Sequence, residues 1–260
     1  MPHLIRNMLN LKMSSAKKTN DPLPDRYRPV IAYLADGLGP DIVEIVVGNG
    51  DAQKSFKAHK IPLCKKIPYF DKMFNGVFEE ATSQRATFPE DHPVAFKLLI
   101  GWVYTGFIEI PKSSDDDGSE EHPSTHLLRL FVLAEKLMIP RLADATMDLL
   151  TKYCKAIAIL PHRDVMDEEY RQTPEDSKLR LWVARAMVHQ FRFTSHDTYD
   201  KGPLKEMLAD NVDLLGDFLG NLRALEPDCS RSFPSEPWEF PACDYHQHAK
   251  IEPCPYATKK

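Results

Sequence analysis

Four residues near the C-terminus carry the sharpest chemistry in this chain: Cys243, His246, His248 and Cys254, two thiols and two imidazoles within twelve residues. Zinc favours such a set, and four protein ligands with no open position make a structural rather than a catalytic site. The surrounding segment holds Pro234, Pro237, Pro241, Pro253 and Pro255 and has little core of its own. Such a segment gains most from a metal clip, because binding energy becomes folding energy. The spacing is not that of a DNA-reading finger, and no basic helix follows. The same residues also fit a loose tail with incidental Cys and His, and the sequence leaves both readings open.

Other candidates are weaker. Ser195-His196-Asp197 contains triad residue types, but adjacent side chains diverge and cannot form a nucleophile–base–orienter chain by themselves. Gly48-Asn-Gly50 is no phosphate loop, since neither a Gly-Lys-Ser/Thr nor a third glycine follows. His59 sits at a strand–helix junction, where a structural role outweighs that of a base. A zinc hydrolase built on the Cys/His set would need a general base, and none is evident nearby. The chain is expected not to be an enzyme.

The totals narrow the classes. The chain has 260 residues, net charge -5, 43% hydrophobic and 27% charged residues, which describe a soluble globular protein of one large or two small domains. The acidic excess argues against direct nucleic-acid binding, which needs clustered Lys and Arg. No apolar run approaches the roughly 20 residues of a membrane span. Five cysteines (Cys64, Cys154, Cys229, Cys243 and Cys254) and no secretory signal favour a reducing compartment, cytoplasmic or nuclear. Arg6, Lys12, Lys17 and Lys18 stand in the first 18 residues without Asp or Glu, as in a mitochondrial presequence. A flexible leader over residues 1–35, or a true start at Met13, is the preferred reading.

The elements that must position these residues follow from periodicity. Val43, Ile45 and Val47 alternate with Ile42, Glu44 and Val46, which predicts a strand. Gly48-Asn-Gly-Asp51 offers the positive-φ residues of a turn into an antiparallel second strand through Phe56 and Ala58. Leu63, Ile67, Phe70 and Phe74 recur at helical spacing, interrupted by Pro68. Arg85–Phe88 reads as a third strand. Phe96, Leu99, Ile100 and Val103 read as the inner face of a helix from Pro93 to Gly106. Phe107–Ile110 reads as a brief strand, and residues 112–125 as an acidic mobile loop. Two helices follow, with Leu127, Leu130, Phe131, Ala134 and Leu137 on one core face and Leu142, Leu149, Tyr153 and Ile157 on the other, divided at Pro140. Residues 161–176 look like a polar linker. Later helical runs carry Leu179, Trp182, Val183 and Ala186, then Val212, Leu215, Phe218, Leu219 and Leu222. After Pro227 the prolines are too many for a regular element.

Several pieces of this chain, in order, resemble the BTB/POZ domain, and most closely the fungal BTB proteins. They are Asp41-Ile-Val, Phe56-Lys-Ala-His-Lys60, Leu63-Cys64, Pro68-Tyr-Phe70, Phe74-Asn-Gly-Val-Phe-Glu-Glu80, Phe88-Pro-Glu-Asp91 and Trp102-Val-Tyr-Thr-Gly106. The later Leu133-Ala-Glu-Lys-Leu137 helix and its partner fit the end of the same domain. The resemblance covers roughly residues 38–156. It departs at Ile67, where the family usually has a Ser able to bond the local backbone.

The fold class expected is α+β: a BTB/POZ fold, with a small mainly antiparallel sheet and α-helical hairpins, over residues 36–157. A helical region (158–225) and a Pro-rich Cys/His tail (226–260) follow. The resemblance implies homodimerisation, and an adaptor role linking a target to a cullin ubiquitin ligase. The alternative is a nuclear transcriptional co-regulator that recruits partners through the BTB groove. Asp41 and Lys60 match positions that pair at the dimer groove in POZ regulators, though each is equally satisfied by water. Similar Cys-x-x-His-x-His tails occur in the fungal relatives, which strengthens the case for one structural zinc. No recognised target-binding domain such as MATH or kelch is present.

Overall fold

A computed structural model of the chain describes residues 37–110, 121–193, 201–224, 236–248 and 253–256. The expected leader, most of the acidic loop (112–120) and Ser195-His196-Asp197 lie outside these residues.

Strand β1 (Ile42–Val47) is central. It pairs antiparallel with β2 (Lys54–His59) and parallel with β3 (Arg85–Phe88), giving the order β2-β1-β3. The expected small sheet is therefore mixed, because a helical crossover lies between β2 and β3. Val43, Ile45 and Val47 are fully buried on one face, as their alternation requires. The turn from β1 to β2 uses Gly48 at φ 82° and Gly50 at φ 52°, the left-handed region that glycine enters at least cost.

Helices α1 (Lys60–Lys66) and α2 (Pro68–Asn75) are divided at Ile67, whose backbone is extended. Proline at the first helical position explains the break: it has no N–H to donate and a φ already suited to a helix start. Where the family's Ser would offer a cap, Ile67 instead buries its side chain completely. Phe70 and Phe74 stack at 5.9 Å, and Phe88 meets Phe96 at 4.8 Å, so this aromatic cluster cements α2 and α4 to the sheet. Burying each such ring is worth roughly 1.5–3 kcal/mol. The short α3 (Glu79–Ser83) leads into β3, and α4 (Pro93–Thr105) ends at Gly106, φ 77°.

Phe107–Ile110 is not a strand in the structure; Ile108 and Ile110 lean on the core without entering a ladder. Helix α5 (Pro123–Lys136) begins earlier than its polar start suggests, because Ser124, Thr125 and His126 are buried. Helix α6 (Pro140–Ile157) buries Leu142, Met147, Leu150 and Cys154, whereas Leu149, Tyr153 and Ile157 are only half-buried, about a third of a turn from the expected stripe.

Residues 161–176 contain a helix, α7 (Arg163–Arg171), rather than a linker throughout. Its polar sequence hides the buried Met166, Glu169 and Tyr170. Helix α8 (Lys178–Phe193) buries Leu179, Trp182, Val183 and Ala186 as expected. After α9 (Lys201–Asp210), helix α10 (Val212–Ala224) buries Leu214 and Phe218, leaving Val212 and Leu219 exposed. Despite its prolines, the C-terminal segment forms two 3₁₀ turns, Pro237–Glu239 and Ala242–Tyr245. The buried apolar residues of α7, α8 and the segment around Tyr245 belong to the same core cluster as those of β1.

Candidate metal centre and docking groove

Local geometry explains how the four donors converge. Cys243 and His246 are three residues apart across a 3₁₀ turn, whose period of three stacks i over i+3. His246 is already extended (φ -90°, ψ 153°), and the His248 ring lies 5.6 Å from the His246 ring. Cys254 closes the group, and all four ligand atoms lie within 4.8 Å of one another. A tetrahedron with Zn–S of about 2.3 Å and Zn–N of about 2.0 Å has edges of roughly 3.3–3.8 Å. Cys254 Sγ is 3.7 Å from His246 Nδ1, already at such an edge. The backbone N–H of Tyr256, aided by the surrounding imidazoles, lowers the Cys254 thiol to about 7, toward the thiolate a metal requires. Cys243 is raised, chiefly by its hydrogen bond with Cys254. Two sulfurs and two nitrogens, with no fifth donor among the described residues, suit a closed, structural zinc.

The segment is anchored from below. Tyr245 is fully buried, and its hydroxyl donates to the Pro237 carbonyl at 2.7 Å. Arg185 of α8 lies 3.6 Å over the Phe240 ring and pairs with Asp244 at 3.0 Å. Gln247 donates its backbone N–H to Asp144 of α6 (2.7 Å) and its side-chain amide to Glu135 of α5 (3.0 Å). Glu135 also accepts from Ser177 at 2.7 Å, and burial raises its pKa.

Within the BTB segment, the His59 backbone N–H donates to the Tyr104 hydroxyl (2.8 Å), and His59 Nδ1 meets the same oxygen at 2.9 Å. The histidine thus ties the β2–α1 junction to α4 and has a structural part, as its position suggests. Lys60 donates its backbone N–H to the Asp41 carbonyl at 2.9 Å, while its ammonium donates to the Phe74 carbonyl at 2.9 Å. Asp41 and Lys60 are therefore neighbours through the backbone, and no ion pair joins them among the described residues. An apolar groove opens between α2 and the α5–α6 turn, lined by Tyr69, Met73, Phe78, Glu80, Leu137 and Met138. Phe78 is 58% and Met138 69% exposed, too much surface for large apolar side chains to leave unexplained.

The BTB/POZ domain family matches residues 40–153, from β1 to the last turns of α6. Residues 40–153 form a BTB/POZ domain. Armadillo BTB Arabidopsis Protein 1, from Arabidopsis thaliana, is 36% identical over 59 residues, which is 23% of this chain and 8% of that relative. The chain thus corresponds to a small part of that protein's length. BTB domains are typically non-catalytic modules that dimerise and bind other proteins, which is the role their presence supports here. No helix among the described residues is long and apolar enough to cross a membrane.

Sequence reasoning missed what the BTB domain contributes to the Cys/His group. Asp148 of α6 lies 3.1 Å from His246 Nε2, and Asp144 holds the next residue's N–H. One signal was available: two acids four apart, with Asp144 set among the buried Leu142, Ala143 and Met147. An acid inside an apolar stripe demands a partner.

Proposed function

We propose that the chain is a non-enzymatic BTB adaptor. It self-associates through the BTB domain, presents the Tyr69–Met73–Phe78–Met138 groove to a cullin scaffold, and binds its target through the C-terminal helices and the Cys/His segment. The exposed apolar groove on the domain surface carries this reading, since it offers a partner side chain a place to bury without rearrangement. In this proposal the domain limits are 36–157, 158–225 and 226–260, the Cys/His segment holds one structural zinc, and the protein works in the cytoplasm or nucleus. The Cys-x-x-His-x-His segment supports placing it with the fungal BTB proteins.

Pull-down from cells, with purified dimer checked by light scattering, tests the adaptor role. The wild type and Asp41→Ala are expected to retain a cullin. Phe78→Asp combined with Met138→Asp should weaken it by a hot-spot loss of about 2 kcal/mol, roughly 30-fold. An intact dimer that captures no cullin would favour the transcriptional co-regulator instead.

Elemental analysis tests the metal. About one zinc per purified chain is expected, falling sharply in Cys243→Ser. A small fraction of one zinc, unchanged by that substitution, would eliminate the site.

A further inference from the structure

We infer that Asp148 is the positioning residue of the metal centre, and that through it the last helix of the BTB domain is latched to the C-terminal segment whenever metal is bound. The inference rests on the metal reading above and adds the helix that controls it. Two consecutive residues of the segment are gripped by two acids one helical turn apart on α6. His246 Nε2 meets Asp148 Oδ1 at 3.1 Å, and the Gln247 N–H reaches Asp144 Oδ1 at 2.7 Å. An ionised carboxylate can only accept, so its bond to Nε2 places the ring proton there and leaves the lone pair on Nδ1. That nitrogen faces Cys254 Sγ at 3.7 Å, the side from which the metal is bound. His246 is 2% exposed, so its ring has no freedom to offer the other nitrogen without leaving its pocket.

A carboxylate behind a ligating histidine fixes the tautomer and ring orientation and makes the donor nitrogen more basic. The same contact couples two events. Metal binding holds His246 and Cys254 together, and His246 is held in turn by α6. Metal occupancy therefore stabilises the docking of the segment on the BTB domain, and docking raises metal affinity by the same factor. No recognition of nucleic acid or substrate is needed: the centre acts as a fastener between two parts of one chain.

The test uses the full-length protein and zinc itself. Competition with a chromophoric chelator should give zinc affinity 10–100-fold weaker in Asp148→Ala than in the wild type, with Asp148→Asn between them because its amide oxygen still accepts. Cobalt-loaded Asp148→Ala should show altered visible ligand-field bands, which a merely structural residue would leave unchanged. Amide exchange should report faster exchange of the Gln247 N–H when the wild type is stripped of metal. Should Asp148→Ala fail to fold, Asp148→Asn carries the comparison. A wild type that binds no zinc overturns the metal reading itself. Zinc bound equally well by wild type and both variants overturns the role of Asp148 alone. Unchanged Gln247 exchange on metal removal overturns the latch.

Discussion

Glu169→Gln is expected to raise the unfolding free energy by about 2–3 kcal/mol at pH 8 and to leave it unchanged below about pH 4.5. Glu169 sits on α7 at 1% exposure, with Oε1 3.4 Å from Arg129 Nε of α5 and 3.9 Å from His92 Nε2 just before α4. Burial outweighs the attraction of Arg129 and pushes the carboxyl from 4.5 up to about 7, with Glu168 and Glu121 adding to the rise. A raised folded-state pKa means that the folded protein binds the proton more tightly. The stability this provides is fully present below about 4.5 and is lost as pH climbs through about 7. At about 1.36 kcal/mol per pKa unit, the interval corresponds to roughly 3 kcal/mol, and a neutral amide never incurs the loss.

His92 has the opposite sign. Burial, then Arg129, lowers its pKa from 6.5, so it contributes stability above that value and loses it on acidification. The wild-type curve is the sum of both trends, and subtracting it from that of Glu169→Gln isolates the carboxyl. Urea unfolding at pH 5 and pH 8 measures the difference. Destabilisation by Glu169→Gln at pH 8 would show that the bond to Arg129 wins and that the carboxylate is ionised when buried.

Trp182→Ala is expected to cost about 3–5 kcal/mol, as a large side chain is deleted from a packed interior. That is a large part of the 5–15 kcal/mol typical of a whole fold. Trp182 is fully buried on α8, well beyond residue 153 where the BTB match ends. Its neighbours nevertheless belong to one apolar cluster that includes Val43 of β1 and Tyr245 of the C-terminal segment. The loss should therefore shift a single cooperative transition, followed by calorimetry, rather than create a second. A separate early transition that leaves the BTB domain intact would show that the C-terminal helices have their own core. Trp182→Phe should be far milder, within about 1 kcal/mol. The indole N–H is buried with no acceptor among the described residues, so losing it offsets much of the lost volume.

The BTB segment was the most legible part of the sequence because its signals are local. Alternation in Val43, Ile45 and Val47 needs only the period of a strand, Pro68 divides a helix by its own covalent structure, and Gly106 ends one through its left-handed φ. The four Cys and His donors were legible for the same reason, since they stand within twelve residues and a 3₁₀ turn carries Cys243 into His246. Helix α7 was not. Its sequence is mostly charged, and polar residues signal solvent unless a partner is known. The partner of Glu169 is Arg129, forty residues earlier and one helix away. The parallel ladder of β3 was equally hidden, because residue periodicity carries no strand direction.

The sequence alone thus carried the BTB resemblance, the helix limits marked by Pro68, Pro93, Gly106 and Pro140, and a Cys/His donor set of a type that could hold a metal. Tertiary structure alone decided what surrounds those donors and which charges are buried. His246 and Asp148 are 98 residues apart, and no short-range pattern in either segment points to the other. Packing of α6 against the C-terminal segment makes a solvent-like acid into a partner for His246, and packing of α7 on α5 makes another into a buried carboxyl that favours its proton. The first outcome depends on tertiary proximity and the second on desolvation, and neither has a value until the chain has folded.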